Sequence, residues 1–274
     1  MAAAIGKSVE MEVLITVKAY PTISTKYGEA VCVAGVRLDT AEPEWIRFFP
    51  VRFRDLPQDQ QFQKYEVIRL SAHRHSTDKR RETWRPELDT IQRGDFIPAG
   101  GHWPMRRKFL APMIGPTMCQ LHQGRKGGAD GSSLGLVRPS RIRGIKVREE
   151  DPWSVGQRAT VGQGNLLTQK TELVQPGHAF SYSYFCEQPE CKGHTQKIVD
   201  WEIGECYRSW SQQGQDLVDA IKTRWLNDMC ADTREPFFFV GDQHMRPGQF
   251  LVLGTFYPEQ TPNADQLSFE LAER

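Results

Sequence analysis

The sequence predicts an α+β chain in which a β-rich, barrel-like domain over residues 1–150 precedes an α+β domain over residues 166–274, joined by a linker at about 151–165. Three observations predict it. From Glu10 to Leu70 the chain is a series of Val, Ile and aromatic runs broken by turn residues, the grammar of short strands. A stretch carrying Pro152, Gly156, Gly162 and Gly164 interrupts the pattern. Beyond it, apolar residues recur at helical intervals, and one aromatic run precedes a compact group of cysteines.

The elements follow in order. Strands are expected at Val13–Tyr20, Ala30–Leu38, Trp45–Val51 and Tyr65–Leu70, separated by Pro21, Tyr27-Gly28 and Glu42-Pro43. Strands this short at this spacing curl most readily into a small barrel. The polar run Gln58–Gln63 reads as a short helix or loop. From Ser71 to Lys108 periodicity fades and charge rises, so this part reads as surface. Pro112 and Pro116 forbid one continuous helix from Met105 to His122, which leaves a short one at Thr117–Gln123. A Gly-rich loop, 124–133, then leads to a strand pair, Leu134–Val137 and Arg141–Arg148. In the second half Ala179–Phe185 is an aromatic strand. Val199, Ile203, Cys206, Tyr207 and Trp210 define a helix face with Asp200 as its N-cap. A second helix is expected at Asp216–Cys230, and a last hairpin pairs Phe237–Val240 with Gln249–Tyr257.

Composition bounds the function. A chain of 274 residues with 39% hydrophobic residues can build its own core. It has no run of about 20 apolar residues that could cross a bilayer. Met1–Glu10 has no extended apolar core, which predicts a cytoplasmic protein with no membrane partner. Its six cysteines are unevenly spread, so they are expected as core residues or metal ligands rather than a disulfide framework. The net charge of +1 hides an asymmetry: residues 64–148 hold 18 Lys and Arg against 7 Asp and Glu, which leaves 17 against 27 elsewhere. One basic face is expected, with an acidic remainder that could dock a protein partner.

The sharpest chemical signal is Cys186-x4-Cys191-x2-His194. It places three borderline-soft ligands in nine residues, with Pro189 and Gly193 available to bend the chain. This predicts a zinc knuckle. Cys206 is the expected fourth ligand, with His178 and Cys230 as alternatives. A closed tetrahedron of four protein ligands would be structural, whereas three would leave a position open for hydrolysis.

The second signal is cationic. Arg106, Arg107 and Lys108, and then Arg141, Arg143 and Lys146 on a strand, are expected to contact phosphates of DNA or RNA, with nearby rings available to stack on bases. The enzyme signals are weaker. Walker, GxGxxG, GxSxG and HExxH motifs are absent from the sequence. Asp200 and Glu202 on a helix would point about 200° apart, which suits capping better than metal catalysis. His73 and His75 with Asp78, or His244 between Asp242 and Arg246, are the remaining acid/base candidates. The expectation is a nucleic-acid-binding accessory protein with structural zinc; the alternatives are a metal-dependent, nuclease-like hydrolase and a protein-interaction subunit.

Overall fold

The computed structural model describes residues 7–24, 27–128, 130–163, 173–211 and 216–260. In the first half the strands are β1 (Val9–Lys18), β2 (Thr22–Ser24), β3 (Gly28–Arg37), β4 (Glu44–Val51), β5 (Glu66–Arg74), β6 (Thr83–Pro86) and β7 (Gln92–Phe96). They pair in the order β1-β3-β4-β6-β5, and β5 returns to β1, so five strands close into a barrel. The β4–β6 pairing is parallel and the other barrel pairings are antiparallel. The expected strands correspond to β1, β3, β4 and β5. β6 and β7 come from the part read as charged surface: β6 is four residues long, and β7 is exposed throughout, so neither shows alternation.

Val13, Ile15, Val33, Ile46, Phe48 and Ile68 point into this barrel. β1 is buried on its other face as well, because Leu14, Val17, Ala34 and Val36 pack outward against the second half of the chain.

Helices α1 (Pro104–Leu110) and α2 (Met118–Gly124) lead out of the first barrel. The second half contains β8 (Leu134–Val137), β9 (Pro139–Glu149), α3 (Val155–Gln163), β10 (His178–Cys186), β11 (His194–Lys197), α4 (Trp201–Ser211), α5 (Leu217–Lys222), β12 (Phe237–Gln243) and β13 (Arg246–Phe256). α5 continues as a π-helical segment, Thr223–Asp228. β8 and β9 are separated only by Arg138. β8 pairs with β12, which pairs with β13; β9 pairs with β10, which pairs with β11. A parallel bridge, Ile198 to Val252, and the bond from Val199 N–H to the Val252 carbonyl at 2.9 Å join the end of β11 to β13. Counting β8 and β9 as one strand, the order is again first, second, third, fifth, fourth and back to the first. The chain is therefore mixed α+β and holds two barrels of the same topology.

β9 runs in register with β10 from Glu149 opposite His178 to Pro139 opposite Cys186. A division at 151–165 would separate these partners, so β9 and its cations sit with the C-terminal half. Tyr182, Tyr184, Trp225, Phe238 and Val252 fill the second barrel. The two barrels meet through an apolar layer, where Leu14 and Val36 pack with Leu136, Phe239 and Phe256. A buried ionic layer lies beside it. Arg47, only 1% exposed, donates to the Ser133 hydroxyl at 2.9 Å and to its carbonyl at 3.0 Å. Arg80 bridges Asp78 and Asp242, and Arg125 donates to Asp242 at 2.9 Å.

Candidate metal centre and nucleic-acid interface

Four elements converge on one cluster: Cys119 from the first turn of α2, Cys186 at the end of β10, Cys191 in the turn, and His194 at the start of β11. α2 starts where it does because Thr117 and Gln120 form a reciprocal capping box, which holds Cys119 at the helix mouth. Met118 and Leu121 anchor the same helix in the second core. Gly193 adopts a left-handed φ of 92° that turns the chain from Cys191 into His194, and its N–H points to the Cys191 sulfur at 3.4 Å.

The four ligand atoms lie within 4.8 Å of one another. Cys119 Sγ is 3.6 Å from Cys186 Sγ and 3.5 Å from His194 Nε2, and Cys191 Sγ is 3.2 Å from His194 Nε2. A tetrahedron with ordinary zinc bond lengths has edges of about 3.7 Å between sulfurs and about 3.6 Å between sulfur and nitrogen. The residues therefore fit a Cys3His metal site. Burial, then the neighbouring His122, pushes the His194 imidazole down to about 4, so it is neutral and able to ligate at physiological pH. Burial, and hydrogen bonds with Cys186 and Cys191, push the Cys119 thiol up to about 12. Gathering several thiolates here takes a cation to offset their charge.

The expected fourth ligand, Cys206, is not in this cluster. It lies on α4 against the second core, and burial pushes its thiol up to about 11. His178 faces Tyr207, and Cys230 contacts Tyr182 and the Trp225 carbonyl, so neither alternative joins the cluster. Cys119 was missed because it is 67 residues from Cys186. Its one local signal is the Thr117–Gln120 cap, which marks a helix start and says nothing about metal.

The cations divide into two groups. Arg106 is 6% exposed; it donates to the Ile97 carbonyl at 2.9 Å and stacks 3.7 Å from the Tyr65 ring centre. Arg107 pairs with Glu235 at 2.7 Å and donates to the Glu259 carbonyl. Both side chains are thus engaged within the protein, whereas Lys108 is exposed. On β9, by contrast, Arg141, Arg143, Lys146 and Arg148 are all exposed, while Ile142, Ile145 and Val147 pack inward. Strict alternation would put Arg143 and Lys146 on opposite faces. A bulge at Gly144, where φ is 140°, adds one residue and returns both pairs to the outer face. Among the described residues, Arg141, Arg143 and Lys146 have no ion-pair partner, whereas Arg148 pairs with Glu150. The row spans about 23 Å, and the Phe185 ring lies 4.6 Å from Arg141.

Asp200 caps α4 as expected, accepting from the Glu202 N–H at 3.1 Å. Lys64 contacts both Asp200 oxygens at 3.0 Å and Glu202 at 2.8 Å. Burial disfavours the Lys64 ammonium, but the two carboxylates outweigh burial and keep it charged. An ammonium occupies the place a catalytic metal would need.

The scattered histidines partly converge. A cavity of about 900 Å³ between the barrels is lined by His75, Asp78 and His244 among others. His244 Nδ1 is 3.3 Å from Asp78 Oδ1, and His75 Nδ1 accepts the Asp78 N–H at 3.0 Å. His73 lies apart, beside Glu87. Burial raises the Asp78 carboxyl, but the Arg80 guanidinium overrides it and holds it at about 2, too low for a general base.

Two five-stranded Greek-key barrels with this strand order define a tandem OB-fold chain. The chain belongs to the family described as domain of unknown function DUF8757, whose model matches residues 114–272; the model of domain of unknown function DUF8758 matches residues 9–112. No curated protein matches it. Among solved structures it is similar to a murine DNA-binding protein bound to double-stranded DNA (9% identity, 93% of this chain and 99% of that one, TM-score 0.32) and to the Ifi202 HINa domain in complex with 20-bp duplex DNA (8%, 93% and 100%, 0.32). It is also similar to the single-stranded DNA-binding protein from Thermus aquaticus (10%, 95% and 97%, 0.21). Among the described residues no helix is long and apolar enough to cross a membrane.

Proposed function

We propose that this protein binds single-stranded nucleic acid along the outer face of β9, β10 and β11, as a non-catalytic accessory protein whose Cys3His cluster holds structural zinc. The observation that carries this reading is the row Arg141, Arg143, Lys146 and Arg148, exposed and, for the first three, without a carboxylate partner among the described residues. Proteins usually pair or disperse such charges; a straight row of them is suited to a polyanion. The row lies on the first strand of a barrel, paired to the second and so beside the face of the second and third strands on which OB-folds take oligonucleotides. Phe185 offers a ring for a base between Arg141 and Arg143. Four protein ligands would fill a zinc tetrahedron, which makes the metal a fastener for α2 and the β10–β11 turn.

The test is a fluorescence-anisotropy titration of a single-stranded oligonucleotide at several salt concentrations, for the wild type and for Arg141→Ala/Arg143→Ala/Lys146→Ala. Losing three phosphate contacts lowers the slope of log K against log salt by about 2, equivalent to about 100-fold in affinity near 0.1 M salt. Equal affinity and slope in the variant would overturn the reading.

A further inference from the structure

The cavity between the barrels begins just beyond the Arg148 end of the cationic row. Glu150, two residues beyond Arg148, lines it, as does His178, the register partner of Glu149. Lys197, at the end of β11, lines it too. A strand held along β9 and continuing past Arg148 would therefore meet the cavity at one of its ends.

The walls of the cavity differ from the face that leads to it. Flat rings come from both barrels: Tyr27 and Phe49, edge to face at 5.7 Å, from the first, and Trp153 and His178 from the second. Its charged lining is Arg47, Arg80 and Lys197 against Asp78, Glu150, Asp151 and Asp242. All three cations are already engaged, with Ser133, with Asp78 and Asp242, and with Glu150 respectively. A phosphate entering here would meet an excess of carboxylates and no free cation among them. An uncharged aromatic ring with amino groups on its edge meets the opposite: faces to stack on, and the Glu150 and Asp151 carboxylates to accept its N–H bonds, Asp78 and Asp242 being held by Arg80 and Arg125. A volume of about 900 Å³ falls in the range of sites that enclose a small organic ligand.

We propose that this cavity receives a nucleobase, the terminal one of a single strand lying along β9, so that the protein recognises strand ends. The inference rests on the proposed function, which supplies the strand. The cations of β9 hold the backbone and the cavity holds the last base, which makes an end-bound complex tighter than one formed at an internal position.

The experiment uses the full chain and single-stranded octanucleotides in which one abasic site is moved through every position. Anisotropy is read for the wild type and for Phe49→Ala. An abasic site at one terminus is expected to weaken wild-type binding about tenfold, the scale of one lost base stack, whereas central sites cost much less. In Phe49→Ala the difference between terminal and central sites narrows. Equal losses at every position in the wild type would overturn the terminal-base site while leaving the cationic face intact. No binding of any octanucleotide at low salt would overturn the proposed function and this inference with it.

Discussion

Replacing Cys119 by Ser, beside Cys206→Ser as its control, separates the structure's metal cluster from the one expected from sequence spacing. Cys119 Sγ lies 3.6 Å from one sulfur and 3.5 Å from the imidazole nitrogen of the cluster, so the substitution removes one corner of the tetrahedron. Disturbing groups that merely orient metal ligands costs about 10–100-fold in affinity, so losing a thiolate ligand itself should cost more than about 100-fold. At free zinc about 100-fold above the wild-type dissociation constant, a variant that no longer holds the metal loses up to about 2.7 kcal/mol of folding free energy. The melting temperature should fall by up to about 5–11 °C for a unit of this size. Cys206 touches only the core, and Cys206→Ser should keep its metal. The assay is elemental analysis of tag-free protein combined with thermal unfolding at buffered free zinc. About one zinc per chain in the wild type and in Cys206→Ser, with little in Cys119→Ser, is the expected outcome. Full zinc occupancy in Cys119→Ser, or loss of zinc only in Cys206→Ser, would refute the assignment; a metal-free wild type would refute the site.

The Asp78–Arg80 pair makes stability depend on pH in an identifiable window. Because the folded carboxyl sits at about 2, below its ordinary 3.8, it contributes about 2 kcal/mol that is fully present above about pH 4 and is lost as pH falls toward 2; urea unfolding at stepped pH should show a shallower acid loss in Asp78→Asn, and an identical profile would refute it. Arg106→Ala should lower stability while leaving the salt slope of nucleic-acid binding unchanged, whereas Arg143→Ala should do the reverse. Chemical denaturation and anisotropy on the same two variants check both halves.

What the sequence made legible follows from the range of its signals. Strands β1, β3, β4 and β5 were readable because alternating apolar residues and turn punctuation are local. The Asp200 cap and the short helix expected at Thr117–Gln123 were readable for the same reason. Three of the four cluster residues lie within nine positions and stood out by spacing. Cys119 did not, because only the packing of α2 onto the second core brings it near. The cations show a different limit. Composition marks Arg106 and Arg143 identically, yet one is enclosed by Tyr65 and Trp103 and the other is exposed; burial decides between them, and burial is tertiary. The second barrel was hidden because its first strand is interrupted at Arg138, and because residues 150–177, including α3, separate β9 from its partner β10.

Duplication of the barrel also explains why one of the two carries the proposed interface. The outer face of β1, β3 and β4 is the first barrel's equivalent of the β9–β10–β11 face. It is taken up by the second barrel: Leu14, Val17, Ala34 and Val36 are at most 1% exposed, and Trp45 meets Phe239 edge to face at 6.3 Å. An apolar face of this kind serves as an internal joint, and a phosphate chain would gain nothing from it. Cutting the chain after residue 112 should therefore expose a contiguous apolar patch, and the isolated first barrel should self-associate or precipitate. Size-exclusion chromatography with light scattering reads this directly. A stable, monodisperse monomer of residues 7–112 would show that the face tolerates water, and the argument that the joint leaves ligand binding to the second barrel would fail.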